Sequence, residues 1–468
     1  MSVEEQDKIA PQRRQRLALV AGVVLAVCVG LGLMGAGLEA KACWCGAITA
    51  LCAVWWVTEP ISIPATSLIP FAAFPMTGVL THKEVAGAYG HHLIILLMGG
   101  FILSTAMERS GAHRRVALGM VRLFGRGGGK GLVLGFMLAS GFLSMWISNT
   151  ATTLMLLPVI LAIIAQSKDK HLGVALLLGV AYSASVGGMG TPVGTPPNVI
   201  FMGAYDERVG REFGFVEWMA VGLPVVVVML PIIWLWVTRK VGKGERLEIP
   251  HPGPWQAAER RVLIIFALTA IAWVTRTEPF GGWSGLLGLK GAGDSTVALC
   301  AVVVLFLVPD GKNERLLDWK TASQIPWGLL LLFGGGIAIA KAFGASGLSA
   351  ALGGVLAGLA SWPVVLMMLV LCLSITFLTE VTSNTATTAL LMPVLAEAGI
   401  AAGIDPALLM VPATISASCA FMLPVATAPN AIAFGTGKLP MATMMREGVA
   451  LNLVGALVVT AVCYWRLT

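Results

Sequence analysis

The chain has 468 residues, of which 57% are hydrophobic and only 12% charged, with a formal charge of +7. Soluble domains carry roughly 25% charged residues, so the composition excludes a water-soluble globule and points to a polytopic α-helical membrane protein. Long unbroken apolar runs exclude a transmembrane β-barrel, and the excess of positive charge reads as membrane topology, with no nucleic-acid partner.

From the N-terminus, Arg13, Arg14 and Arg16 precede an apolar run over 17–38. The run is too long for a signal-peptide core, so it reads as an uncleaved first span. Further spans are expected at 43–58, 61–80, 91–108, 172–204, 216–238, 259–275, 294–309, 326–343, 407–436 and 443–465, making eleven crossings. The basic stretch 112–126 is amphipathic and is expected to lie on the inner membrane surface. Its counterpart at about 346–360 has no charge. With the N-terminus cytoplasmic, 23 Lys and Arg fall inside against 8 outside, which places the C-terminus outside. Glu59-Pro60 and Glu278-Pro279 read as interfacial caps. His91-His92 and most tryptophans read as interfacial, and Lys341 as snorkelling outward. Cys43 and Cys45 form a CxC pair without partner ligands, so no metal site is expected there, and no disulfides are expected in the chain.

The same six residues, SNTATT, occur at 148–153 and again at 383–388, each followed by Pro-Val (Pro158-Val159, Pro393-Val394). A second matched pair follows: PVGTPPN ending at Asn198 and PVATAPN ending at Asn430. Residues 97–111 also match 332–347 in their glycines, so one half of the chain duplicates the other. Counted from the second span, each half holds five crossings. An odd number makes the repeat inverted, so the two SNTATT copies approach from opposite faces.

Each copy sits in an apolar stretch, 131–166 or 362–398, whose two legs are short for a ~30 Å hydrocarbon core. Each stretch is therefore expected to be a re-entrant hairpin rather than two crossings. Ser148, Asn149 and Thr150 are good N-cap residues for a helix beginning near Ala151. Two helix N-termini meeting near the midplane would suit an anion with two negative groups. Ser144 lies one turn before Ser148, and Thr379 one turn before Ser383. With Asn149, Asn384 and carbonyls freed by the proline breaks, these oxygens suit Na⁺ better than Zn²⁺ or Cu²⁺.

At these residues the chain resembles the divalent anion:sodium symporter family (INDY-type dicarboxylate transporters) over essentially its whole length. The resemblance implies a homodimer of all-α protomers moving by an elevator mechanism. The scaffold would be 1–127 and 240–360, and the transport domain 128–239 and 361–468. It further implies one Na⁺ at Ser144, Ser148, Asn149 and Gly194, and a second at Thr379, Ser383, Asn384 and Ala426. Substrate carboxylates would meet Ser148, Asn149, Thr150, Ser383, Asn384 and Thr385, with Thr195, Pro196 and Thr427 nearby. One departure is Ala428 in the second break, where the first has Pro196. Another is Glu380, which stands where the first repeat has Met145 and reads as a structural or peripheral acid.

The resulting expectation is sodium-coupled import of C4 dicarboxylates such as succinate, malate or fumarate across the inner membrane. A sodium-independent exchanger, or citrate or sulfate as substrate, is the alternative. The chain has no HExxH, DDxxD or Walker A pattern that would suggest an enzyme, and paired tips suit alternating access better than a channel.

Overall fold

A computed structural model describes residues 3–125, 127–242, 249, 251–277, 281–351 and 362–468, with side chains from residue 15 onward. Glu278-Pro279, most of the uncharged stretch 346–360, and the side chains of Arg13 and Arg14 lie outside the described residues. The fold is all-helical. Among the described residues, eight helices are long and apolar enough to cross a membrane. Seven coincide with expected crossings, and the eighth, Asn149–Gln166, is the second leg of the first hairpin. Of the remaining expected crossings, 61–80 breaks into Ile63–Thr66 and Ile69–Met76. Pro70 falls at the start of the second piece, where it has no amide to extend a helix. Ala257–Val274 carries Glu259, Arg260 and Arg261 near its start.

Each SNTATT copy turns between two helices, Gly128–Ser144 with Asn149–Gln166 and Val364–Leu378 with Asn384–Ala401. Each proline-rich copy unwinds a helix. Lys170–Gly188 stops, residues 189–195 turn, and Pro196–Val209 continues. Ala407–Ala417 stops, and the chain resumes at Ala428–Gly435. The repeats interlock: Pro196–Val209 packs on Asn384–Ala401, while Ala428–Gly435 packs on Asn149–Gln166. Lys170–Gly188 is buried along nearly its whole length, whereas Gln15–Gly35 is largely exposed. A helix apolar all round can serve either as core or facing lipid.

Helix Ala112–Phe124 corresponds to the expected amphipathic segment, but one of its basic residues is internal. Arg115 is buried, bonds Glu259 at 2.8 Å, and donates to the carbonyls of Pro252, Gly253 and Pro254. Lys341 also differs from expectation: its Nζ lies 3.6 Å from Glu207 Oε1, so it pairs with a carboxylate instead of extending outward. Glu59 caps Ala40–Thr58 in the left-handed region, φ 46°.

Candidate functional site

Both hairpin tips and both unwound stretches meet at one cavity of about 800 Å³. Its wall includes Ser148, Asn149 and Thr150 from the first tip and Ser383, Asn384 and Thr385 from the second. Gly194, Thr195, Pro196, Ala426 and Thr427 come from the breaks. These are all the expected site residues except Ser144 and Thr379, which are fully buried one turn behind the tips.

Four helices, not two, begin here. Asn149–Gln166, Pro196–Val209, Asn384–Ala401 and Ala428–Gly435 have Ser148, Thr195, Ser383 and Thr427 as N-caps. The breaks add two N-termini because proline in a first turn leaves no donor to satisfy and favours a helix start. The first tip's helix begins at Asn149, two residues before the expected Ala151. Its first backbone bond runs from Thr152 to the Ser148 carbonyl at 2.9 Å, and Thr387 bonds Ser383 in the same way at 2.8 Å. At the first tip the amides before that bond have no partner within the helix, and Ser148 does not cap with its side chain; at the second, Ser383 Oγ accepts from the Ala386 amide, and Thr427 Oγ1 accepts from the Asn430 amide. Among the described residues no Lys, Arg or His lines the cavity, and its only ionisable side chains are Glu59 and Glu108. Attraction for an anion therefore comes from helix ends and hydroxyls.

Oxygen acceptors cluster behind each tip. Ser144 Oγ donates to Asn149 Oδ1. A Cβ placed on Gly188 would lie 3.0 Å from Asn149 Oδ1 and 3.1 Å from the Gly194 carbonyl. The bare Gly188 thus leaves open the space that both oxygens face. In the second repeat, Asn384 Oδ1 and Ser418 Oγ are buried without a hydrogen-bond partner, as is Ser185 Oγ in the first. Buried oxygens without a proton donor are costly unless a cation or water meets them. This all-oxygen, uncharged set fits an alkali cation.

Asn198 and Asn430 fix the unwound backbone in matching ways. Asn198 Nδ2 donates to the Gly188 and Thr191 carbonyls at 2.9 and 2.8 Å. Asn430 Nδ2 donates to the Ala420 and Leu423 carbonyls at 3.0 and 3.1 Å. Glu380 turns away from the cavity. Its carboxylate accepts from the Met422 and Leu423 amides, both at 2.8 Å, and from Asn452 Nδ2 at 2.7 Å. It therefore holds the second break, where Ala428 replaces a proline.

Sequence reasoning missed Ser104, Thr105 and Gln324, which face the tips across the cavity, and the wall hydroxyls Ser185 and Ser418. Ser104 and Thr105 lie in the repeated stretch 97–111, but nothing local distinguishes them from packing residues.

A family model described as "Sodium:sulfate symporter transmembrane region" matches residues 13–468. The sodium-dependent dicarboxylate transporter SdcS of Staphylococcus saprophyticus is 39% identical over 476 positions, covering 96% of this chain and 91% of that protein. The protein of the same name from Staphylococcus aureus is also 39% identical over the same span. The YdaH transporter of Alcanivorax borkumensis shares the fold, with a TM-score of 0.58 at 14% identity over 84% of this chain and 87% of that one. With a family match over nearly its full length and relatives of this similarity, the chain belongs to the divalent anion:sodium symporter family.

Proposed function

We propose that this protein couples Na⁺ entry to import of a C4 dicarboxylate such as succinate, malate or fumarate. The observation that carries the reading is a cavity ringed by four helix N-termini, with no basic side chain in its described wall and buried, unpartnered oxygens behind its tips. A dianion is held at the tips by amides and by the hydroxyls of Thr150 and Thr385. The carboxylate-bearing wall repels it unless cations enter too. Ser144, Ser148, Asn149 and the Gly194 carbonyl take one Na⁺, and Thr379, Ser383, Asn384 and the Ala426 carbonyl the other. Relatives named as sodium-dependent dicarboxylate transporters support this choice.

Transport proceeds as an elevator in a homodimer. Residues 128–239 and 361–468 move against a scaffold of 1–127 and 240–360, the repeats are inverted, and eleven helices cross the membrane. The exposed rim residues Glu59, Glu108 and Gln324 lie at the basic, cytoplasmic ends of their spans. The cavity in this conformation therefore faces inward, with the C-terminus outside.

The test is uptake of radiolabelled succinate into proteoliposomes under an inward Na⁺ gradient, challenged with unlabelled malate, fumarate, citrate or sulfate. Malate and fumarate should compete as well as succinate itself, and citrate and sulfate weakly. Competition by sulfate alone would overturn the dicarboxylate reading.

A further inference from the structure

Away from the cavity, His91, His92 and Asp206 each offer a ligand atom, and all three lie within 4.8 Å of one another. His91 caps helix His92–Ser110, and Asp206 lies in the last turn of Pro196–Val209. His91 Nε2 is 3.4 Å from Asp206 Oδ2. The two imidazoles lie side by side, with centroids 4.4 Å apart and planes tilted by 31°. Glu212 Oε1 approaches from the following loop, 3.8 Å from His92 Nε2.

A tetrahedral Zn²⁺ with bonds of ~2.0–2.1 Å separates its ligand atoms by ~3.3–3.4 Å. The His91–Asp206 distance already matches. The widest gap has at most about 1.4 Å to close, within reach of partly exposed side chains. Two imidazoles and a carboxylate select borderline divalent ions; Na⁺, Mg²⁺ and Ca²⁺ prefer oxygen alone. None of these residues lines the cavity, so transport chemistry does not explain the cluster.

We propose that His91, His92 and Asp206 form a binding site for Zn²⁺ or a similar borderline divalent ion, with Glu212 as a fourth donor. The bound ion joins the start of His92–Ser110 to the end of Pro196–Val209. These helices fall in the two parts that move against each other in the proposed elevator, so a metal there holds the inward-facing arrangement and stops transport. That consequence rests on the transport reading; the site itself does not.

The first experiment is calorimetric titration of the purified full-length protein in detergent with Zn²⁺, in Na⁺ buffer. The wild type should take one Zn²⁺ per chain. His92→Ala and Asp206→Asn should each weaken binding by more than the ~10–100-fold that follows loss of an outer-shell partner. No saturable binding in the wild type, or undiminished binding in both variants, would overturn the site. Both variants should keep zinc-free uptake, which reports that they are folded. In proteoliposomes Zn²⁺ should abolish Na⁺-driven succinate uptake, a chelator should restore it, and Asp206→Asn should be insensitive. Zinc binding without inhibition would overturn the bridging role. Absence of wild-type uptake before zinc is added would instead overturn the transport reading, with the titration still deciding the site.

Discussion

Asn149 and Asn384 occupy equivalent positions but differ in their hydrogen bonding: Asn149 Oδ1 accepts from Ser144, and Asn384 Oδ1 has no partner. A hydrogen bond or ligand contact to a charged group contributes ~1.5–3 kcal/mol. Asn384→Ala should therefore raise the Na⁺ concentration for half-maximal uptake by about 10–100-fold, measured in Na⁺-titrated proteoliposomes; an unchanged value would remove Asn384 from the cation site. Glu380→Gln should behave differently. It weakens charge-assisted bonds to the Met422 and Leu423 amides, so it should cost about 1–3 kcal/mol of stability. Thermal melts in detergent should report that loss while the half-saturating Na⁺ concentration stays put. A shifted Na⁺ dependence would make Glu380 a cation ligand. The asparagines were legible because an exact duplication marks them. Glu380 was read as a structural acid, but its partners were hidden: they lie 42, 43 and 72 residues away, and contacts so distant leave no local pattern.

At the scale of elements, the site is made by interruptions. Asn198 and Asn430 each staple two carbonyls of an unwound stretch. Gly194 lets that backbone close on itself: a Cβ there would lie 2.5 Å from the Gly188 carbonyl oxygen. Gly194→Ala should push the first break out of register and abolish uptake while the protein still inserts and runs as a monodisperse species. Retained uptake would mean that the break tolerates rearrangement. Proline and glycine announced the two breaks in the sequence, and the duplicated SNTATT marked the two turns between helices. The extra pair of N-termini was hidden, because a broken span reads as one apolar run. The break near Ser67 and Leu68 was hidden for the same reason, since Pro70 within an apolar stretch also fits an ordinary kink.

For the whole molecule, the repeat explains why four helix ends share one cavity. Each broken helix sends its second half against the other repeat's hairpin, so neither half builds the site alone. The sequence revealed the duplication, but not the contacts between the proposed moving and fixed parts. Lys341 and Glu207 form one such contact at 3.6 Å. With the eight native cysteines replaced, Lys341→Cys combined with Glu207→Cys should be bridged by a short bis-methanethiosulfonate reagent and halt uptake until reduced. Full transport by the cross-linked protein would contradict an elevator motion there. The central claim is that cation occupancy makes a cavity without a basic side chain in its described wall hold a dianion. It is tested most directly by radiolabelled succinate uptake into proteoliposomes under an inward Na⁺ gradient, compared with an equal K⁺ gradient. The account predicts accumulation with Na⁺ and none with K⁺, and in Asn149→Ala and Asn384→Ala accumulation that returns only at about 10–100-fold higher Na⁺. Equal uptake in the two gradients would contradict it.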